Sequence, residues 1–289
     1  MLSAIRKKLI PGVTWQHPVV AAGLQVANPF DWAVRSMRGL GHLPRLSKRV
    51  RSNGLRGQFG GTKFVRTGQN LLKELKEHGQ ITPSSDILEI GCGVGRNAFA
   101  LSTFLEEGSY TGIDIDKPSI EAAQSNAFLQ KKGYEIKFLD VDNPEYNPNG
   151  RYKASEYVFE FDDNSFDLIF LMSVFTHMLS DDMENYIKEI SRMLKPGGRL
   201  LFTTFVMDYG TQFGNVDFKY GDAEWRSSHK ELPEICVGYY LDYLTRILTE
   251  NGLTIDESGP IASVVGGRET TTPKTTQVSQ DIIVAHKRA

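Results

Sequence analysis

The sequence predicts a doubly wound α/β domain with a mostly parallel sheet, preceded by a basic helical extension. From about residue 68 onward, short apolar runs alternate with segments of helical periodicity, which is typical of repeated β–α units. The first of these runs ends in closely spaced glycines, as at the ligand-binding turn of doubly wound sheets. With 289 residues, 40% of them hydrophobic, the chain is long enough to bury a full core.

Five apolar runs predict the first strands of the sheet. Each has the length of a buried strand and is bounded by turn-forming or polar residues. These strands are Asp86–Gly91, Tyr110–Ile115, Glu135–Leu139, Ser165–Leu171 and Arg199–Phe205.

Three helices are predicted between these strands. They are Asn97–Leu105, Ser119–Leu129 and Asp182–Leu194. Pro118 is suited to open the second helix. Apolar residues of the third recur at spacings of three and four, which predicts one buried face. The segment Lys195-Pro196-Gly197-Gly198 is expected to end that helix through its proline and a left-handed glycine.

The alternation of apolar runs and helical segments stops at residues 206–236, which contain five aromatic residues together with glycines and mixed charges. This stretch predicts an insertion or lid. Beyond it the pattern predicts a helix at Tyr239–Asn251, a short strand at Leu253–Asp256 and a last strand at Ser279–His286. Residues 266–278 are expected to form a mobile hairpin loop.

Charge is distributed unevenly along the chain. Residues 1–66 contain twelve Lys and Arg residues and one acidic residue, Asp31, whereas the remainder carries a formal charge of −13. Residues 1–67 are therefore expected to form a basic extension of short helices. This extension either contacts an anionic surface, phosphate-bearing substrate or nucleic acid, or packs on its own acidic domain.

Several classes of protein are disfavoured by composition. The two cysteines, Cys92 and Cys236, cannot form a disulfide framework, so a reducing compartment, the cytoplasm, is expected. Neither a zinc-binding spacing nor an apolar run of the roughly 20 residues needed to span a bilayer is present. The first residues are a poor match to a signal peptide. Peripheral membrane contact through the basic extension remains open, and nothing indicates the oligomeric state.

The stretch Glu89–Arg96 carries the strongest site signal. Gly91, Gly93 and Gly95 surround Cys92 between a predicted strand and a predicted helix. A dinucleotide fold requires G-x-G-x-x-G, but Arg96 occupies the place of the third glycine. A carboxylate at Glu89 would repel a pyrophosphate, whereas it suits the cationic amino and sulfonium groups of S-adenosylmethionine.

Two further acidic positions follow predicted strands. Asp114, with its neighbour Ile115, ends the second strand, where a carboxylate can accept hydrogen bonds from both ribose hydroxyls or can cap the next helix. Asp140 and Val141 follow the third strand, where they are expected to bind an adenine amino group and pack on the ring. Asp140 could instead be a turn residue, with Asp142 in its place.

The ordered series DILEIGCGVGRNA, YTGIDI, FDDNSFDLIF and LKPGGRLLFTTF resembles class I S-adenosylmethionine-dependent methyltransferases over roughly residues 68–289. The resemblance implies a seven-stranded Rossmann-like sheet of order 3-2-1-4-5-7-6 with an antiparallel last strand. The segments Tyr146–Pro148, Ser173–Met178 (SVFTHM) and Gln280–Ala285 further resemble a bacterial branch associated with small-molecule and glycan methylation.

His177 is the candidate catalytic base, because it follows the fourth strand at its carboxyl end and a neutral histidine can take a proton near pH 7. A structural histidine that bonds a loop backbone is the alternative. Met172 and Ser173 are expected to contact the cofactor. The expected acceptor contacts are Phe175, Tyr209, Tyr220 and Trp225, with Asp208 and His229 as further candidates. Arg96 is expected to bind a carboxylate or to lie on the surface.

O-methylation of a small-molecule or saccharide-type acceptor is the leading hypothesis. A nucleic-acid methyltransferase is the second hypothesis, but Met172–Phe175 differs from the (D/N)PP(Y/F) motif of amino-directed DNA enzymes, and no clear nucleic-acid signature is present. A non-catalytic, cofactor-binding interaction subunit is the third. No metal site is predicted.

Overall fold

The computed structural model describes residues 18–214, 216–262 and 280–288. The helices, in chain order, are α1 (Pro18–Met37), α2 (Leu46–Asn53), α3 (Thr62–Glu77), α4 (Arg96–Leu101), α5 (Lys117–Gln124), α6 (Ala127–Lys131), α7 (Ser180–Met193) and α8 (Leu241–Glu250). The strands are β1 (Ile87–Ile90), β2 (Tyr110–Asp114), β3 (Glu135–Phe138), β4 (Phe166–Leu171), β5 (Leu194–Thr204), β6 (Gln212–Phe213), β7 (Val216–Asp217), β8 (Tyr220–Gly221), β9 (Trp225–Ser227), β10 (Val237–Tyr239), β11 (Leu253–Ile255), β12 (Ile261–Ala262) and β13 (Asp281–Lys287).

The main sheet has the order β3-β2-β1-β4-β5-β13-β11. Strands β1 to β5 pair in parallel, whereas β13 runs antiparallel to both β5 and β11. This arrangement confirms the predicted seven-strand order and the antiparallel last strand. The two-residue strand β12 adds a further antiparallel pair with β13.

Both faces of the sheet are covered, which explains why its parallel strands read as nearly continuous apolar runs. Leu88 and Ile90 of β1 pack in the core on one face, and Ile87 packs in the core on the other. The alternation follows from the two-residue period of a strand. Ile90 pairs with Ile113 of β2 and Leu171 of β4, so these three strands end together at one edge.

Several helix boundaries differ from the prediction. The segment expected as one helix at Ser119–Leu129 forms α5 and α6, because the side chain of Asn126 caps α6 by accepting the Phe128 and Leu129 amides at 3.0 and 3.3 Å. Helix α7 ends at Met193 and β5 begins at once, so the Pro-Gly-Gly segment lies inside the strand instead of capping the helix.

The basic extension forms three helices, and two of them are longer than expected. Helix α1 has 20 residues and α3 has 16. Helix α3 packs on α4, where Phe64 meets Phe99 edge to face with ring centroids 6.0 Å apart. Helix α2 packs its Leu46 and Val50 against Leu24 of α1.

The stretch 206–236 forms short strands and turns that pack around Phe205, Met207, Phe213 and Phe218. Its strands make a hairpin, β6–β7, and a small sheet of order β10-β9-β8. Movement of this stretch as a lid stays a prediction. The loop predicted at 266–278 falls outside the described residues. Within the described ranges, every helix is too short or too polar to cross a membrane.

Candidate functional site

A solvent-open cavity lies at the carboxyl edge of the sheet, where β1, β2 and β4 end. It encloses about 1120 Å³, including the part open to solvent. The predicted cofactor residues that it brings together are Gly91, Gly93, Asp114, Ile115, Val141, Met172 and Ser173. Among the described residues, four other candidates do not line it: Glu89, Cys92, Gly95 and Asp140.

The glycine loop between β1 and α4 is tied back to β2. The amides of Gly91 and Cys92 both donate to the Ile113 carbonyl, at 2.8 and 3.0 Å. Gly91 has φ +86°, and a Cβ there would collide with Val174, so this position requires glycine. The backbone can therefore turn sharply beneath the cavity without filling it.

Asp114 stands at the end of β2 and its carboxylate is fixed by two backbone amides. Oδ2 accepts from Gly93 at 2.6 Å and Oδ1 accepts from Asp116 at 2.8 Å. Each oxygen keeps a further lone pair for a ligand. Burial raises the pKa of Asp114, and the two amide hydrogen bonds oppose that rise. The loop therefore presents a carboxylate to the cavity and uses the Gly93 amide to hold it.

The acidic residue that follows β3 and lines the cavity is not the one that the sequence favoured. Asp140 faces away from the cavity and accepts a hydrogen bond from Asn147 Nδ2 at 3.3 Å. Val141 and Asp142 line the cavity instead. The backbone explains the difference, because Tyr152 pairs with this segment and directs the chain, bonding both the Asp140 carbonyl and the Asp142 amide. Of the two aspartates named for this position, Asp142 therefore lines the cavity and Asp140 does not.

Glu89 lies below the loop and is 1% exposed. Its two oxygens accept hydrogen bonds from Asn97 of α4 and Tyr110 of β2, both at 2.5 Å. Burial raises the pKa of Glu89 to about 7. This carboxyl joins α4 to the sheet and does not contact the cavity directly, unlike the expectation from sequence. Cys92, also buried, lies on the same side of the loop.

The end of β4 contributes Met172 and Ser173. Ser173 has φ +60°, an uncommon value for a residue other than glycine. Its amide donates to Thr203 Oγ1 at 2.8 Å and its hydroxyl donates to Gln280 Oε1 at 3.0 Å. These bonds to β5 and to the residue before β13 hold the backbone in that conformation against the cavity.

His177 lines the cavity on the short 3₁₀ turn Phe175–His177. Its Nδ1 lies 3.1 Å from the Glu234 carbonyl and 3.7 Å from Glu145 Oε2. A carbonyl can only accept, so this contact places the proton on Nδ1 and leaves the Nε2 lone pair on a neutral ring. Burial lowers the pKa of His177, with Glu145 opposing that change. The ring is therefore neutral near pH 7, as a base must be.

The structure separates the aromatic acceptor candidates from the cavity. Phe175 is fully buried in the core, 5.0 Å from Phe202 edge to face. Trp225 packs against the same core from β9, and Tyr209 and Tyr220 are exposed on the insertion. None of these four lines the described cavity, so the geometry does not support them as acceptor contacts. Its aromatic wall is instead Tyr146 and Tyr186.

Helix α2 of the basic extension forms one wall of the cavity, a feature that the sequence reasoning did not locate. Arg51 donates to Asp116 Oδ2 at 2.6 Å and pairs with Oδ1 as well. Ser52 Oγ lies 3.0 Å from Ser119 Oγ, and Arg51 and Ser52 both line the cavity. The opposite charges of residues 1–66 and of the remainder indicated that the two segments could pack together, but not at which residues.

The cavity wall is acidic. Four aspartates and one arginine line it among the described residues: Asp114, Asp116, Asp142, Asp182 and Arg51. Burial raises the pKa of Asp182 as it does that of Asp114. Because Arg51 is already paired with Asp116, the remaining field favours a cationic ligand. In the ranges that the structure describes, no group of His, Cys, Asp and Glu could hold a metal ion.

Comparison with known proteins gives a match over the region that builds this site. Residues 88–202 match the family described as "Methyltransferase domain". Phosphoethanolamine N-methyltransferase 2 of Caenorhabditis elegans is 29% identical over 155 residues, covering 53% of this chain and 31% of that protein. O-methyltransferase rstn1 of Aspergillus nomiae is 29% identical over 142 residues, covering 49% of this chain and 56% of that protein. The chain thus spans less than two thirds of either relative.

A solved structure shows a similar fold. A chain of the complex between the Haloferax volcanii Trm112 methyltransferase activator and a methyltransferase superposes with a TM-score of 0.51 at 15% identity. The match covers 78% of this chain and 91% of that one. At this identity the similarity concerns the fold alone.

Proposed function

Because residues 88–202 match a methyltransferase domain, we propose that the chain is a class I S-adenosylmethionine-dependent methyltransferase that transfers a methyl group to a small-molecule acceptor. The observation that carries this proposal is the fixed carboxylate of Asp114 in an acidic cavity at the carboxyl edge of the sheet.

The residues present fit this cofactor. Asp114 offers lone pairs for the ribose hydroxyls, while Val141 and Asp142 offer an apolar contact and an acceptor for the adenine. The acidic wall suits the cationic sulfonium and amino groups. A pyrophosphate fits poorly, because the amides of Gly91, Cys92 and Gly93 are already donated to Ile113 and Asp114.

When bound, the cofactor supplies a methyl group on a positively charged sulfur, and much of the acceleration of such a displacement comes from positioning. We propose that His177 takes the proton of an acceptor hydroxyl, because its ring is neutral and its Nδ1 is oriented by the Glu234 carbonyl. This assignment supports O-methylation of a small-molecule or saccharide-type acceptor.

An amine acceptor is the second candidate, and a specific observation favours it. Asp182 shares the cavity with Tyr146 and Tyr186. Carboxylates and aromatic faces together attract a protonated amine. One relative is named a phosphoethanolamine N-methyltransferase, which is consistent with this class of acceptor.

Calorimetry with S-adenosylmethionine tests the cofactor site. Asp114→Ala is expected to weaken binding by roughly 1–3 kcal/mol, because polar partners lose a buried acceptor. Asp140→Ala is the matched control, since this aspartate follows β3 but lies outside the cavity. Equal affinity of the Asp114→Ala variant and the unchanged protein would contradict the assignment.

Transfer of tritiated methyl groups to fractionated cell extract tests the acceptor. Label in a small molecule or saccharide is expected, and mass spectrometry of the product distinguishes O-methyl from N-methyl groups. Label incorporated into nucleic acid would overturn the acceptor class. Cofactor binding without any transfer would favour a non-catalytic subunit.

A further inference from the structure

Helix α1 packs Leu24 against α2, but it also buries charged residues and exposes large apolar ones. It buries Asp31 and Arg35, which are 0% and 2% exposed. Large apolar side chains lie on its outer surface, with exposures of 72% for Val19, 70% for Val26, 67% for Phe30 and 80% for Met37. An amphipathic helix that only covers its own domain shows the opposite arrangement.

These four residues form one continuous stripe. Their spacings of seven, four and seven residues place them on one face of an α-helix, and the exposed Ala22 and Ala33 fall on the same face. The stripe contains no charged residue. Because α1 has 20 residues, it is about 30 Å long. We call this set of six residues the apolar stripe.

The buried charges hold the stripe outward. Asp31 accepts hydrogen bonds from Arg35 Nε at 2.7 Å, from Arg49 Nη2 of α2 at 2.7 Å and from the Gly60 amide at 2.8 Å. Rotation of α1 to bury the stripe would break the bonds from Arg49 and Gly60 and would carry the Asp31–Arg35 pair toward solvent. The outward orientation of the stripe is therefore built into the fold.

The segment that contains α1 is basic. Residues 18–73 contain ten Lys and Arg residues and one acid, the buried Asp31. Arg45, Arg56 and Arg66 are exposed, and within the described ranges no carboxylate lies within ion-pair distance of them. The loop that bonds α1 through Gly60 also exposes Leu55 and Phe59, by 52% and 50%.

We propose that the apolar stripe and these arginines dock the protein on an anionic lipid bilayer, with α1 lying in the plane of the interface. An exposed apolar helical face and exposed basic side chains in the same segment are the two features that bind a protein to an anionic bilayer. The basic side chains favour an anionic bilayer over a second copy of the chain, because pairing of two stripes would bring these like charges together. Helix α1 packs on α2, which lines the cavity, so docking would hold the cavity near the membrane.

Sedimentation with lipid vesicles tests the proposal independently of methyl transfer. The full chain is expected to bind phosphatidylcholine vesicles that contain about one third phosphatidylglycerol, more tightly than pure phosphatidylcholine, and to be released by salt. The double variant Val26→Gln/Phe30→Gln is expected to bind roughly tenfold more weakly. Val158→Gln, which replaces another exposed valine (67%) far along the chain, is the matched control and should bind as the unchanged protein does.

A second variant tests the charges. Replacing Arg45, Arg56 and Arg66 with Gln is expected to remove the preference for anionic vesicles. Thermal unfolding and cofactor calorimetry of each variant establish that the fold and the cofactor site persist. Full binding by the Val26→Gln/Phe30→Gln variant would overturn the proposal. So would failure of the unchanged protein to bind anionic vesicles, or its dimerisation through the stripe, whether or not methyl transfer occurs.

Discussion

The buried carboxyl of Glu89 predicts a specific dependence of stability on pH. Its pKa is about 7 in the folded protein and 4.5 ordinarily. Between these values the folded protein holds a proton that the unfolded chain has lost, so the free energy of unfolding falls as the pH rises. At about 1.4 kcal/mol per pH unit, the loss contributed by Glu89 is about 3 kcal/mol between pH 4.5 and 7.

Glu89→Gln removes this titration and keeps the contacts. The amide oxygen can accept from Asn97 and the amide nitrogen can donate to the Tyr110 hydroxyl, as a protonated carboxyl would. Near pH 5 the variant should therefore unfold with nearly the same free energy as the unchanged protein. Near pH 8 it should be more stable by about 3 kcal/mol.

Urea unfolding followed by circular dichroism at several pH values measures this difference. Glu107→Gln, at an exposed glutamate, is the control and should show a difference that does not vary with pH. A constant difference for Glu89→Gln would refute the reasoning, because it would mean that Glu89 titrates alike in the folded and unfolded states. A loss of stability in the variant at high pH would refute it as well.

The other predictions concern the cavity and a helix cap. His177→Gln should lower kcat by about 10²–10⁴-fold with little change in cofactor affinity, measured by steady-state kinetics and calorimetry; an unchanged kcat would make His177 structural. Arg51→Met should weaken cofactor binding by roughly 1 kcal/mol, since it releases α2 from Asp116; equal calorimetric affinity would count against the α2 wall. Asn126→Ala should lower the free energy of urea unfolding by about 1 kcal/mol through loss of the α6 cap, and no change would mean that the cap is not stabilising.

The strands and the glycine loop could be predicted because they depend on local signals, whereas the sheet order was implied by the resemblance to class I methyltransferases. Buried parallel strands are short apolar runs, and the turn after β1 requires glycine at Gly91. The acid after β3 could not be assigned, because pairing with Tyr152 decides whether Asp140 or Asp142 faces the cavity. Tyr152 lies ten positions beyond Asp142, in a segment whose sequence shows no helical or strand periodicity, so the pairing could not be predicted.

The residues that line the acceptor side of the cavity were even harder to predict from the sequence. The insertion and the SVFTHM segment are rich in aromatic residues. Aromatic residues are common both in binding surfaces and in small hydrophobic cores, so composition alone does not distinguish the two. In the structure Phe213 and Phe218 build such a core, and Phe175 joins the main one. The wall formed by α2 depends on packing between segments about 65 residues apart, which Arg51 and Asp116 illustrate. Net charge indicated the contact but not its location.

The pairing of α2 with α5 has a practical consequence for trimming the gene. The recognised domain begins at residue 88, and the α/β pattern begins at about residue 68, yet Arg51 and Ser52 complete the cavity from upstream. A fragment that starts at residue 68 would cut α3, and one that starts at residue 88 would also shorten β1; both would leave Asp116 and Ser119 without their α2 partners. Either fragment would lose core contacts of α3 as well as the α2 wall and should bind the cofactor poorly, so screens for substrates or inhibitors require the basic extension in place.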